Sequence, residues 1–254
     1  MSTDKVIEQI LQENEYLFPY HYVAKYKPNF CQHFLDSWGI NYVSTIEFII
    51  SRISKINCES IIDIGCGDGR FTVELSDAFP NAKVVGIDYS QKAISLAKAM
   101  NPAMTFINLD ITDAQLNEKF EVGIVIEVLE HIPIKMINNF LHGISNILDD
   151  TGLLLITVPH SNKPLEYKHF QHFTVESLIT CVNEFFEPIE ILTFERICFR
   201  KKLMDFCLSN NFFILNNPRA LNYIYSYYKN NLFYTINEEN CQRIFMLAKK
   251  RLNR

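Results

Sequence analysis

From about Ile61 the chain alternates short, β-branched apolar runs with stretches of helical period, the pattern of βαβ units that feed a parallel sheet. The runs predict strands at Ser60–Ile64, Lys83–Asp88, Thr105–Asn108, Val122–Glu127 and Leu153–Val158. Between them, Ser90 is placed to cap a helix running to Met100, with Ala93, Ile94 and Ala97 on successive turns. Ile134 to Leu148 reads as a second amphipathic helix, stopped by Asp149-Asp150-Thr151-Gly152. A loop from His160 to Phe173 follows, then a helix opening at Thr174 with Glu176 and Ser177 in its first turn. Two later strands are predicted at Ile189–Ile197 and Arg243–Lys249. The fold class is therefore α/β, a seven-stranded, mostly parallel sheet with helices on both faces.

Two segments stand outside this alternation. Residues 1–45 carry Tyr16, His21, Tyr22, Tyr26, Phe30 and Phe34, and residues 198–240 form an insertion rich in Phe and Tyr, including Phe206, Phe212, Tyr225 and Tyr228. For any one of these aromatics, packing is the simpler role. As a pair, the segments are expected to cover one end of the sheet over an acceptor pocket. The organisation read from the sequence is one domain over 1–254, with its core at 58–197 and 241–250.

At 254 residues the chain suffices for one α/β domain with a buried core, and a second full domain would leave both small. A hydrophobic share of 48% against 21% charged is that of a folded globular protein. Val122–Val128 and Leu153–Val158 fall well short of the roughly 18 apolar residues that suggest a membrane span. The opening Met-Ser-Thr-Asp-Lys-Val-Ile-Glu lacks a basic region followed by an apolar one, which predicts no secretion signal and a cytoplasmic location. Seven cysteines without a Cys-x-x-Cys spacing read as reduced thiols. The net charge of −5, with the densest basic run at Lys249-Lys250-Arg251, points away from nucleic acid and towards a small-molecule partner.

The chemistry begins where the first strand ends, at Asp63-Ile64-Gly65-Cys66-Gly67-Asp68-Gly69. In an open α/β sheet, ligands bind outside the carboxyl ends of the strands, where a glycine-rich turn lets backbone N–H groups approach. Asp88 ends the next strand, in position to accept hydrogen bonds from a ribose diol. Both features also suit a dinucleotide. Two details separate the cases: Asp63 is poorly placed beside a pyrophosphate but suits a cofactor bearing an ammonium group, and Asp110, after the third strand, suits an adenine amine.

Over residues 58 to 160, the combination of Asp63, the glycines, Asp88, Asp110 and the fourth strand resembles the class I S-adenosylmethionine-dependent methyltransferases, with their Rossmann-like sheet. The resemblance implies that Asp63, Gly65, Cys66 and Gly67 hold the methionine portion. Asp88 and Tyr89 would take the ribose, Asp110 and Ile111 the adenine, and Glu127 would lie beside the methyl sulfonium. It also implies a final antiparallel strand, which Arg243–Lys249 fits.

Ile126-Glu127-Val128-Leu129-Glu130-His131 sets two carboxylates and an imidazole at the end of strand four, and His160, His169 and His172 follow strand five. A neutral histidine is suited to take the acceptor's proton near pH 7. His131 is the first candidate for that role, with His172 and His169 next, then His160. Glu-Val-Leu-Glu-His resembles ubiquinone-biosynthesis O-methyltransferases, which implies transfer to a hydroxyl of a small-molecule or sugar-containing metabolite. It also resembles the metal-dependent RNA 3′-terminal 2′-O-methyltransferases, which implies Mg²⁺ or Mn²⁺ held by Glu127, Glu130, His131 and His172, and an RNA acceptor. That family's Phe-Glu-Trp-Thr-Arg run is replaced here by Phe173-Thr174-Val175-Glu176. A non-catalytic, cofactor-binding subunit and an NAD-dependent oxidoreductase are the remaining alternatives.

Overall fold

The computed structural model describes residues 38–252 apart from positions 114, 115, 210, 211, 214 and 216. Of the N-terminal segment it describes positions 7, 10, 11, 13, 16 and 19–23. The aromatic residues expected to act between 24 and 37 lie outside the described residues, as does Phe18.

Eight strands form one sheet in the order β3-β2-β1-β4-β5-β8-β6-β7. β1 (Ser60–Ile64), β2 (Lys83–Asp88) and β3 (Thr105–Asn108) run as the sequence predicts, and β4 (Phe120–Ile126) and β5 (Leu148–Pro159) run parallel to them. β8 (Cys241–Lys250) is antiparallel to both β5 and β6 (Phe186–Arg196), as the family resemblance implied. The expected count of seven is corrected by β7 (Tyr234–Thr235), a two-residue strand on the edge of β6 that carries no periodicity of its own. The predicted helix stop at Asp149–Gly152 lies instead inside β5. There the partner of Phe120 is Leu148 and that of Val122 is Leu153, so the acidic residues bulge from the ladder.

The helices are α1 (Trp38–Ile53), α2 (Arg70–Ala78), α3 (Gln91–Met100), α4 (Ile137–Ile147), α5 (Val175–Val182), α6 (Phe199–Leu208) and α7 (Pro218–Asn231). Local chemistry starts them where expected. Ser90 Oγ accepts from the Ala93 N–H at 3.2 Å, and Thr174 forms a reciprocal capping box with Ser177. α4 and α5 bury Phe140, Leu141, Ile144 and Leu178 against Ile62, Val125 and Ile156 on one face of the sheet. On the other face, Ile46, Ile49 and Ile53 of α1 pack with Phe71 and Leu75 of α2 and with Met204, Tyr225 and Tyr228 of the insertion. Each such side chain, taken fully from water, contributes about 1.5–3 kcal/mol. The insertion is thus part of the second face's core. None of its described residues lines the cavity at the strand ends. The expectation that 198–240 covers an acceptor pocket is corrected accordingly: its buried aromatics, Tyr225, Tyr228 and Phe233, pack into the core with α1. Among the described residues no helix is long and apolar enough to cross a membrane.

Candidate active site

The carboxyl ends of β1, β2, β3 and β4 open into a cavity of about 320 Å³. At one end sits the glycine loop, with Gly65, Gly67 and Gly69 at φ of 76°, 56° and 81°. The turn folds back on β2, where the Gly65 and Cys66 N–H groups donate to the Ile87 carbonyl. A Cβ on Gly65 would lie 2.5 Å from Val128 Cγ2, so the loop is pressed against the chain leaving β4.

Asp63 is fully buried behind this loop and accepts from Thr72 Oγ1 at 2.6 Å. Burial pushes its carboxyl up to about 7, against the help of the Thr72 hydroxyl. Asp88 joins two elements: Oδ2 accepts from Gly67 N at 2.9 Å and Oδ1 from Ser90 N at 2.8 Å. Burial raises it to about 6, partly offset by those two N–H groups. Asp88 therefore holds the loop as well as facing the cavity. Tyr89, Asp110 and Ile111 line the next stretch of wall, although Asp110 Oδ1 is engaged by the N–H and hydroxyl of Thr112. Cys66 also lines the cavity, and burial pushes its thiol well up, which makes it wall rather than nucleophile.

At the other end lie Glu127, Glu130, His131 and His169. Glu127 stands at φ 53° immediately after β4, a left-handed conformation unusual outside glycine. Arg243 of β8 holds it there, Nε to Oε2 at 3.0 Å, while Thr157 donates to Oε1 at 3.1 Å. Arg243 Nη1 also lies 3.0 Å from Glu195 Oε2, an ion pair lacking the alignment of a hydrogen bond. Burial opposes the guanidinium charge, but Glu127 and Glu195 outweigh it and hold Arg243 more firmly protonated.

Glu130 is completely buried, and neither carboxylate oxygen has a hydrogen-bond partner among the described residues. Burial and the neighbouring Glu127 push its carboxyl well above the usual range. His131 Nδ1 lies 3.2 Å from the Lys168 carbonyl. His169 packs edge-on to His131 with ring centroids 4.7 Å apart, and its Nδ1 is 2.8 Å from His172 Nε2. His172 Nδ1 is 3.0 Å from the Lys163 carbonyl and must donate to it, so its Nε2 accepts from His169. His169 then carries its lone pair on Nε2. Burial, with His131 beside it, lowers His169 to about 3 and keeps it neutral.

Of the expected residues, Glu127, Glu130, His131 and His169 come together, whereas two placements differ from expectation. His172 stands behind His169 and lines a separate surface groove, so the expected metal set of Glu127, Glu130, His131 and His172 is not assembled. In its place one ligand atom from each of Glu130, His131 and His169 lies within 4.8 Å of the others. His160 is buried away from the cavity between Glu238 and the Asn162 N–H, a packing role. Tyr16 and His21, expected as part of a cover over the acceptor, stand at the loop end with Tyr42; sequence reasoning missed Tyr42 there and Lys163, Lys168 and Arg243 at the other end. Of these missed residues, Arg243 left a signal, as a basic residue at the head of the apolar run Ile244–Ala248.

Residues 61–152 match the model of a methyltransferase domain family. Over that segment the chain is similar to methyltransferase domains, and its sheet has the fold of S-adenosylmethionine-dependent methyltransferases. Among relatives, it is 31% identical over 111 residues to trans-aconitate 2-methyltransferase of Escherichia coli O1:K1, a match covering 44% of this chain and 43% of that one. The chain thus spans less than half the length of the curated relatives it matches. By structure it is similar to the N-methyltransferase NodS of Bradyrhizobium japonicum in complex with S-adenosylhomocysteine. That likeness has a TM-score of 0.55 at 15% identity and covers 83% of this chain and 86% of that one. A methyltransferase from Archaeoglobus fulgidus gives a TM-score of 0.54 at 17% identity, with 81% and 94% covered.

Proposed function

We propose that the chain binds S-adenosylmethionine along the row Asp63–Gly67–Asp88–Asp110 and transfers its methyl group to a hydroxyl of a small-molecule or sugar-containing metabolite. The observation that carries this reading is one cavity lined by Asp63, Asp88 and Asp110 at one end and by His131 and His169 at the other. The acceptor oxygen attacks the methyl carbon, the carbon–sulfur bond breaks, and S-adenosylhomocysteine leaves as a neutral thioether. The acceptor's proton passes to His131, against which the His169 ring packs edge-on. Incubating the chain with methyl-labelled S-adenosylmethionine and a metabolite extract tests the reading, since a labelled O-methyl product supports it and label on nitrogen or carbon alone contradicts it.

His131→Ala should lower turnover by a factor of about 10²–10⁴, the usual weight of a general base, His169→Ala should lower it less by freeing the His131 ring, and both should leave S-adenosylhomocysteine affinity unchanged. Normal turnover in both variants would remove the histidines from catalysis.

The two raised carboxyls set a pH dependence. Asp63 and Asp88 bind protons more tightly folded than unfolded, so their contribution to the unliganded protein's stability falls as pH rises from about 4 to 7. The cofactor's ammonium and ribose hydroxyls favour the ionised forms. S-Adenosylhomocysteine should therefore bind more tightly from pH 5 to 8, with proton release measurable by calorimetry in buffers of different ionisation enthalpy. Affinity independent of pH, without proton release, would contradict these assignments.

A second reading is favoured by the orphaned Glu130 carboxylate. Glu130, His131 and His169 fit a divalent ion such as Mn²⁺, with His172 and two backbone carbonyls orienting the imidazoles from behind. Such an ion would bind and polarise an acceptor hydroxyl. Equilibrium dialysis with Mn²⁺ should then show one equivalent bound, lost in Glu130→Ala; the absence of bound metal in the unaltered chain would exclude it.

A further inference from the structure

Glu127 shares its left-handed backbone with one other non-glycine residue among the described residues: Glu195, near the end of β6, stands at φ 59°. Such conformations persist only where the surrounding structure holds them, and they gather at functional sites. Both carboxylates meet the same guanidinium, since Arg243 Nε donates to Glu127 Oε2 and its Nη1 lies 3.0 Å from Glu195 Oε2. The sheet order explains the alignment. With β4, β5, β8 and β6 as neighbours, Glu127, Thr157, Arg243 and Glu195 form one row across four strands. The row continues into the insertion. Lys201, in the first turn of α6, is only 4% exposed, and its Nζ lies 3.9 Å from Glu195 Oε1. Asp205, one turn on, anchors that ammonium through both oxygens at 2.8 and 2.9 Å. From the surface inwards the charges alternate: Asp205, Lys201, Glu195, Arg243 and, at the cavity, Glu127.

Buried ion pairs rarely stabilise a fold more than apolar residues of the same size, so the effect of this row lies in what it orients. It ends on the turn after β4. Glu127, Val128, Glu130 and His131 of that turn all line the cavity, and Val128 is the side chain against which Gly65 is pressed. We propose that Glu195 and Lys201 are positioning residues of the active site. Acting through Arg243, they keep Glu127 in its left-handed conformation, and so keep the turn 127–131 against the glycine loop. The insertion thereby acts on a cavity that none of its described residues lines. The bearing of this row on methyl transfer rests on the reading of the cavity as the cofactor and acceptor site. Charge balance is the working principle. Without Lys201, Glu195 would draw Arg243 away from Glu127; without the Glu195 charge, Lys201 and Arg243 would face each other as like charges. Removing both charges together restores the alternation.

Hydrogen–deuterium exchange on the full chain, read by mass spectrometry on peptides spanning 127–131, tests this without a ligand. The Glu127 and His131 N–H groups there are hydrogen-bonded, to the Thr157 and Val128 carbonyls. Lys201→Met and Glu195→Gln should each speed exchange of these amides about tenfold, the weight of one lost charge-assisted hydrogen bond. Lys201→Arg should exchange as the unaltered chain does, and the paired variant, Glu195→Gln with Lys201→Met, more slowly than either single one. S-Adenosylhomocysteine affinity should fall about tenfold in each single variant and recover in part in the paired one. Unchanged exchange at 127–131 in both single variants, with faster exchange confined to α6 and α7, would overturn the proposal. So would a paired variant whose effect is the sum of the two, which denotes independent loosening. Should Lys201→Met not fold, Glu195→Gln against the paired variant carries the same decision. Failure of the unaltered chain to bind S-adenosylhomocysteine would overturn the cofactor reading, whereas exchange at 127–131 decides the positioning role by itself.

Discussion

Gly67→Val should abolish measurable binding of S-adenosylhomocysteine, a loss of at least about a hundredfold, or ~3 kcal/mol. Gly67 sits at φ 56°, where a β-branched residue is strained by roughly 1–3 kcal/mol. The added side chain would also start 2.9 Å from the Tyr16 hydroxyl and project into the space assigned to the methionine moiety. Its N–H, held by Asp88, would be pulled from register as the loop relaxes. Calorimetry on the folded variant checks this, and near-normal affinity would take Gly67 out of the binding surface.

Gly143→Ala should unfold the protein at a lower temperature and weaken cofactor binding, although helix propensity alone predicts the opposite. In the middle of α4 alanine is favoured over glycine by about 1 kcal/mol. Here, however, a Cβ would stand 2.2 Å from the Ile111 carbonyl oxygen and 3.0 Å from Ile111 Cγ1. The obstacle is backbone, so α4 or the Asp110–Thr112 turn must shift, and overpacking of this kind costs about 1–3 kcal/mol or more. For a chain of this size that is a fall of roughly 2–10 °C in Tm. Because the displaced turn lines the cavity where we propose adenine binds, S-adenosylhomocysteine affinity should fall with it. A raised Tm would show that the helix accommodates the methyl group and that the Ile111 contact is slack.

These two glycines mark the boundary of what the sequence discloses. Gly67 stands in a motif with a strand before and a helix after it, so its role follows from local order. Gly143 touches a residue 32 positions away, and no spacing reports that contact. The same division runs through the site. Asp63, Asp88 and Asp110 were legible because parallel strands end on one side of the sheet, so an acid at each strand tip faces the same cleft. The order among His160, His169 and His172 was not legible, since the loop after β5 has neither a helical nor a strand period to say which imidazole turns inward. The insertion was misread for a related reason. Its aromatics signal burial without naming their partner, and Tyr225, Tyr228 and Phe233 found theirs in the core beside Ile46, Ile49 and Ile53 of α1.

The central claim is that the acid-lined cavity takes S-adenosylmethionine rather than a dinucleotide. Titrating the purified chain at pH 6 with S-adenosylhomocysteine and, separately, with NADH tests it most directly. Saturable one-to-one binding of S-adenosylhomocysteine with release of protons, and no heat from NADH, is the predicted result; saturable binding of NADH alone would contradict it.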